Sequence, residues 1–194
     1  RAGMQPDLAL QYSSDGQDGH LGVGWSLRGL SQISRCASTR TVNGRLRPIM
    51  WDSADELCLD GEPLVLVAGT AHTDGAVYAT EQESLRKVVG LGTPHQGFRV
   101  SLPDGRVLTY GIAPECSAAE CKAVVSAYNG SSHNYRTWML ASVNDTYGNW
   151  MHIEWHRRGA QLNPVQADAA LINQAEFYPA AIRSKRRYTY KEAF

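Results

Sequence analysis

Apolar residues along this chain recur mostly at every second position, in short runs closed by turn dipeptides. Leu8, Leu10 and Tyr12 alternate in the first run, and Leu30 to Ile33 begins another. Residues 64–67, 98–102, 107–110, 138–143 and 150–155 follow, rich in β-branched and aromatic side chains. A period of two is that of a strand with one buried face, so each run predicts a strand. Between them lie Asp-Gly or Asn-Gly pairs beginning at Asp15, Asp18, Asn43, Asp60, Asp74, Asp104 and Asn129. Such pairs tolerate the positive φ that a tight hairpin turn demands. The runs flanking Pro103-Asp104-Gly105 form the clearest hairpin. This punctuation predicts an all-β fold of short antiparallel strands and hairpins.

Helix signals are sparse. Residues 164–174, where alanine and leucine gather behind Pro164, are the best candidate, so at most one short helix is expected. No self-similarity at a period of roughly 20–50 residues argues for a propeller or solenoid. No composition shift divides the chain, and its 194 residues are expected to form one β-rich unit.

Gly22-Val23-Gly24-Trp25 sets two glycines around one apolar residue just before a tryptophan, which suggests backbone packed against an indole. Trp25, Trp138 and Trp155 fall in apolar alternation and are expected to fill a core. Trp51 and Trp150 adjoin turn residues and are expected at the surface. Exposed aromatic rings beside glycine loops suit stacking on sugars, the basis of an alternative reading as a surface adhesin or carbohydrate-binding module.

Composition removes several functions. The 19 basic and 19 acidic residues cancel, leaving no electrostatic case for nucleic acid or a membrane surface. No run approaches a transmembrane span and no signal peptide opens the chain. It begins at Arg1, and so reads as an excised or processed piece.

Candidate chemistry is thin. On a strand, His152, Glu154 and His156 share one face and could contribute metal ligands. Their spacing is not the helical His-Glu-x-x-His of metalloproteases, and a half-buried strand with a wet polar face is the expectation. Asp52, Asp55, Glu56 and Asp60 could hold calcium, but they match no EF-hand register and read instead as a solvated acidic loop. Gly90-Leu91-Gly92 lacks the lysine of a phosphate loop, and no Gly-x-Ser-x-Gly elbow is present. No catalytic residue and no cofactor is implied.

The order of motifs resembles a known family. Pro6, Leu8, Leu10, Tyr12, Ser13 and Ser14 are followed by Leu21, Gly22, Gly24, Trp25, Ser26 and Leu27, then by Ile33 and Arg35. This series is similar to the opening of the N-terminal region shared by SpvB-type virulence proteins, B components of insecticidal toxin complexes and Rhs proteins. Later segments resemble the Rhs branch: Arg35-Cys36 with residues 56–61, Tyr78 to Ser84, and Trp138 through Asp145, Gly148 and Asn149. Residues 145–149 resemble the turn core of Tyr-Asp (YD) repeats, and residues 177–182 the strand that follows one.

The resemblance implies a non-catalytic segment of a larger curved β-sheet shell that encloses a toxic C-terminal domain. Its partners would be the remaining YD-repeat shell and the enclosed toxin, with no nucleic acid and no membrane insertion, in a secreted bacterial protein. Glu81-Gln82-Glu83 matches the Glu-x-Glu pair of ADP-ribosyltransferases, an activity found in a separate C-terminal domain of SpvB-type proteins. Here the pair falls in the N-terminal segment without its supporting strand, so surface or hydrogen-bonding roles are expected.

Four cysteines, Cys36, Cys58, Cys116 and Cys121, allow three disulfide connectivities. Cys116 and Cys121 are close enough to close a small loop. Zinc is disfavoured, because Cys-x-x-Cys spacing is missing. The resemblance carries both Cys36 and Cys58 and implies that they pair, in an oxidising compartment.

Overall fold

The computed structural model describes residues 8–14, 18–19, 22–23, 25–50, 52–82, 84–112, 122–126, 135–157 and 177–185. Among them the fold is all-β. The strands are β1 (Ala9–Tyr12), β2 (Asp18–Gly19), β3 (Gly22–Val23), β4 (Trp25–Arg28) and β5 (Gln32–Cys36). Then come β6 (Glu56–Leu59), β7 (Glu62–Ala68), β8 (Val77–Thr80), β9 (Lys87–Leu91) and β10 (Gly97–Ser101). The last are β11 (Val107–Ile112), β12 (Lys122–Ser126), β13 (Tyr135–Asn144), β14 (Trp150–Arg157) and β15 (Phe177–Lys185). One helical turn, α1 (Arg40–Asn43), is the only helix among the described residues, and the helix expected over 164–174 lies outside them.

From β5 to β11 each strand pairs antiparallel with the next. β11 then pairs with β13, and β13 returns to β5, so eight strands close into a barrel. Closure satisfies both backbone edges of every wall strand.

The alternation decides what fills the barrel. Ile33 stands opposite both Leu59 and Trp138, Tyr78 opposite Val88, Val88 opposite Val100, and Phe98 opposite Tyr110. All of these side chains are buried in one cluster. Each contributes about 1.5–3 kcal/mol on leaving water. Turn chemistry sets the register. Only Asp60 (φ 52°) and Gly61 (φ 88°) join β6 to β7, the paired positive φ of a type I′ hairpin. Asp18 and Gly19, expected as a turn, instead enter the ladder as β2, with Gly19 opposite Gly22.

Two features depart from the barrel. β12 wedges between the diverging ends of β11 and β13, pairing Gly111 with Ala123 on one side and Trp138 with Val124 on the other. The end of β13 pairs with β14, and β14 pairs with β15 along its whole length, so that a ribbon leaves the wall. β1 and β4 form a separate two-stranded sheet.

That separate sheet corrects one expectation. Trp25 does not fill the core: it is 43% exposed, beside Tyr12 at 60% and Leu10 at 64%. The strands pair in register, but among the described residues no second layer covers their apolar face.

Candidate functional site

At one end of the barrel three connections converge: the loop 37–55 after β5, the turn 69–76 after β7 and the turn 92–96 after β9. Arg35 lies two residues beyond the inward-facing Ile33 on β5, so its side chain enters this end rather than solvent. Its Nη1 donates to Asp55 Oδ2 at 3.1 Å and to the Asp52 carbonyl at 2.6 Å, and its Nε to the Tyr135 carbonyl at 2.9 Å. Arg47 Nη1 reaches Asp55 Oδ1 at 2.8 Å, and Arg47 also pairs with Asp52. The Ala54 N–H, then Arg47, hold the Asp52 carboxyl below its usual range. The Asp55 side chain is fully buried between the two guanidinium groups. The solvated acidic loop expected here is therefore corrected at Asp55, because the two arginines replace its water.

Beneath this pair lie two buried histidines. His72 Nε2 stands 2.9 Å from the Asp55 carbonyl, and the His72 N–H donates to the Tyr78 hydroxyl at 3.0 Å. That hydroxyl stands 3.0 Å from His95 Nε2. The proton of that contact sits on the Tyr78 oxygen or on His95 Nε2 according to the ring's tautomer. His95 Nδ1 is buried without a hydrogen-bond partner. The Trp138 indole N–H donates to the His95 carbonyl at 3.2 Å. Burial, reinforced by neighbouring His72, holds the His95 imidazole down at about 4, and burial likewise lowers His72. Gly90 makes room for the ring, since a Cβ there would lie 2.0 Å from His95 Cε1.

The opposite end is tied differently. Ser31 Oγ donates to Asp60 Oδ2 at 2.6 Å and lies 2.8 Å from the Tyr110 hydroxyl. Nearby, Asp145, Gly148 and Asn149 build the turn from which the ribbon leaves. The Asp145 carboxylate accepts from the N–H groups of Tyr147 at 2.9 Å and Asn149 at 2.8 Å, while Gly148 takes φ 79°. Tyr147 is left 82% exposed.

The remaining predicted residues scatter. Cys36 and Cys58 form a disulfide between β5 and β6, whereas Cys116 and Cys121 lie outside the described residues. Trp138 is buried, and the bare backbone of Gly111 meets its indole: a Cβ on Gly111 would lie 2.6 Å from Trp138 Cδ1. Gly22 is placed in β3, and Gly24, Trp51 and Glu83 lie outside the described residues. Trp150, expected at the surface, is half-buried with its ring edge-on to His152. His152 and Glu154 are also half-buried on β14, and the side chain of His156 lies outside the description. Among the described residues no three His, Cys, Asp or Glu side chains converge on a metal site. Sequence reasoning missed the Arg35–Asp55–Arg47 group and the His72–Tyr78–His95 group. A charged residue on the inward face of β5 was the available signal for the first.

The chain belongs to the SpvB family, described as the Salmonella virulence plasmid 65kDa B protein, which matches residues 1–191. No curated protein matches it. In structure it is similar to the N-terminal domain of effector protein SpvB from Salmonella typhimurium strain LT2, with TM-score 0.67 and 18% identity over 95% of this chain and 60% of that one. It is similar also to TcdB2-TccC3-Cdc42, with TM-score 0.64 and 16% identity over 92% of this chain and 9% of that one. A Photorhabdus luminescens Tc holotoxin pore gives TM-score 0.61 and 16% identity over 91% of this chain and 8% of that one. At these identities the likeness is one of fold, and the chain spans only a part of each of these proteins.

Proposed function

We propose that this chain is a non-catalytic wall segment of a secreted bacterial toxin-complex-like protein. Acting as one unit, it contributes to a β-sheet shell around a toxic C-terminal domain. The observation that carries this reading is the ribbon. β13 belongs to the closed barrel and also starts an outward run through β14 to β15, whose far edge pairs with nothing among the described residues. An edge strand of nine residues invites another strand, and continuing sheet from the same protein supplies one without aggregation. The polar groups at the two barrel ends bind each other, which suits a structural wall and not turnover. The segment's partners are then the remaining shell and its enclosed cargo, outside the cell, with no part in membrane insertion or nucleic-acid binding.

One observation favours the carbohydrate-binding alternative: the Tyr12 and Trp25 rings lie 5.3 Å apart on an exposed face. Titration with glycans separates the readings, because a wall segment leaves tryptophan fluorescence unmoved. Electron microscopy of a longer natural protein carrying this segment tests the main reading. A closed, hollow particle is expected; a particle with no cavity overturns it.

A further inference from the structure

We propose that His72, Tyr78 and His95 form an acid-sensitive latch, which holds the loop 37–55 on the barrel while both rings are neutral and releases it when they take up protons. The inference is independent of the shell reading.

The latch joins three connections through single contacts. The Asp55 carbonyl, at the end of the loop 37–55, receives His72 Nε2–H. The turn carrying His72 is tied through the Tyr78 hydroxyl to His95 on the next turn but one. His95 is tied through its carbonyl to Trp138 on β13. Of these links, the Tyr78–His95 contact is the one that ring charge alters. Once charged, His95 carries protons on both ring nitrogens and no longer accepts the Tyr78 proton, whichever tautomer the neutral ring held.

The surroundings offer the new charge little: the Gly92 carbonyl and Asp74 favour it, and burial, His72 and Arg35 outweigh them. His95 is 2% exposed, with Phe98 edge-on at 4.7 Å and the bare backbone of Gly90 against its ring. The ionisable groups acting on it are His72, with ring centroids 5.7 Å away, Arg35 on β5, and Asp74 on the exposed turn. Two of these three are cationic or become so in acid. Around His72 stand Arg35, Asp55 and Glu56, and the Asp55 carboxylate is already bound by both Arg35 and Arg47. Protonation therefore favours states in which the rings reach water.

The sign follows from linkage. The unfolded or opened ring binds its proton near the ordinary 6.5, whereas the closed His95 binds at about 4. Acid is taken up by the open state first, so closure is complete above 6.5 and weakens as pH falls toward 4. That interval shifts the closed-to-open ratio by roughly 100-fold from His95 alone, with His72 adding in the same direction.

Hydrogen exchange of residues 37–55 in the 194-residue chain between pH 7 and pH 4, corrected for intrinsic rates, reads the ratio directly. A loss of protection of about 100-fold is expected, cut to below about tenfold in His95→Gln, whose amide can bond the Tyr78 hydroxyl but cannot charge. Equal pH dependence in the variant and the parent overturns the latch. Should His95→Gln fail to fold, an NMR titration of the parent's own imidazoles decides. A His95 midpoint near 6.5 with residues 37–55 still protected overturns it, and a midpoint near 4 that coincides with their release supports it.

Discussion

Two aromatic pairs in this molecule have nearly the same ring separation and opposite fates. Phe98 and Trp138 sit 5.0 Å apart inside the barrel, and neither is measurably wet. Tyr12 and Trp25 sit 5.3 Å apart on the β1–β4 sheet, 60% and 43% exposed. Both arise from alternating strands in antiparallel register. What differs is closure. The barrel wraps its apolar face around itself, while the two-stranded sheet has one face and nothing described to cover it. Alternation specifies a strand and its two sides; burial comes from the partner layer.

The same contrast separates the barrel wall from the β14–β15 ribbon. Met151 and Ile153 on β14 turn inward and are buried with the main cluster. One strand further out, β15 has a neighbour on one side only among the described residues. The molecule thus grades from a sealed core to an open margin, and perturbations are expected to hurt in that order.

The largest effect is expected at Asp55. Asp55→Asn leaves Arg35, with a side chain 4% exposed, without its buried counter-charge. It should destabilise the chain by about 3–5 kcal/mol in urea unfolding. A loss below about 1 kcal/mol would place the sealed end's stability elsewhere. Next comes the Cys36–Cys58 disulfide, whose partners are 22 residues apart. Replacing both with serine should cost roughly 3 kcal/mol through the freed loop, seen as a lower midpoint that reductant no longer changes. Gly90→Ala forces a methyl into the His95 ring and should cost about 1–3 kcal/mol, with the His95 resonance displaced in NMR. At the open margin, Trp25→Ala should change thermal stability by no more than about 0.5 kcal/mol. A larger loss would mean that the exposed pair is covered after all.

Much of the wall was legible in the sequence. The runs at 64–67, 107–110, 138–143 and 150–155 fall within strands, 98–102 overruns β10 by one residue, and Asp60-Gly61 and Asp104-Gly105 close hairpins. Barrel closure was not legible, because it rests on β5 meeting β13, with Ser34 opposite Thr137. No local pattern reports a pairing between strands so distant in the chain. Asp55 was misread because its acidic neighbours are conspicuous in sequence, while Arg35 and Arg47, which bury it, act from another strand and a loop. His95 sits in a turn, where no periodicity marks a residue as buried. Trp25 was assigned to a core by alternation alone, which carries no information about what covers a strand's apolar face.

The central claim is that the barrel is complete in itself while β15 is an edge awaiting continuation. Hydrogen exchange across β8–β10 and β15, compared between the 194-residue chain and a longer natural protein carrying it, tests this most directly. Unchanged protection in β8–β10 and a gain on the order of tenfold or more at alternate amides of residues 177–185 in the longer protein are expected. Equal protection of β15 in both forms would contradict the claim.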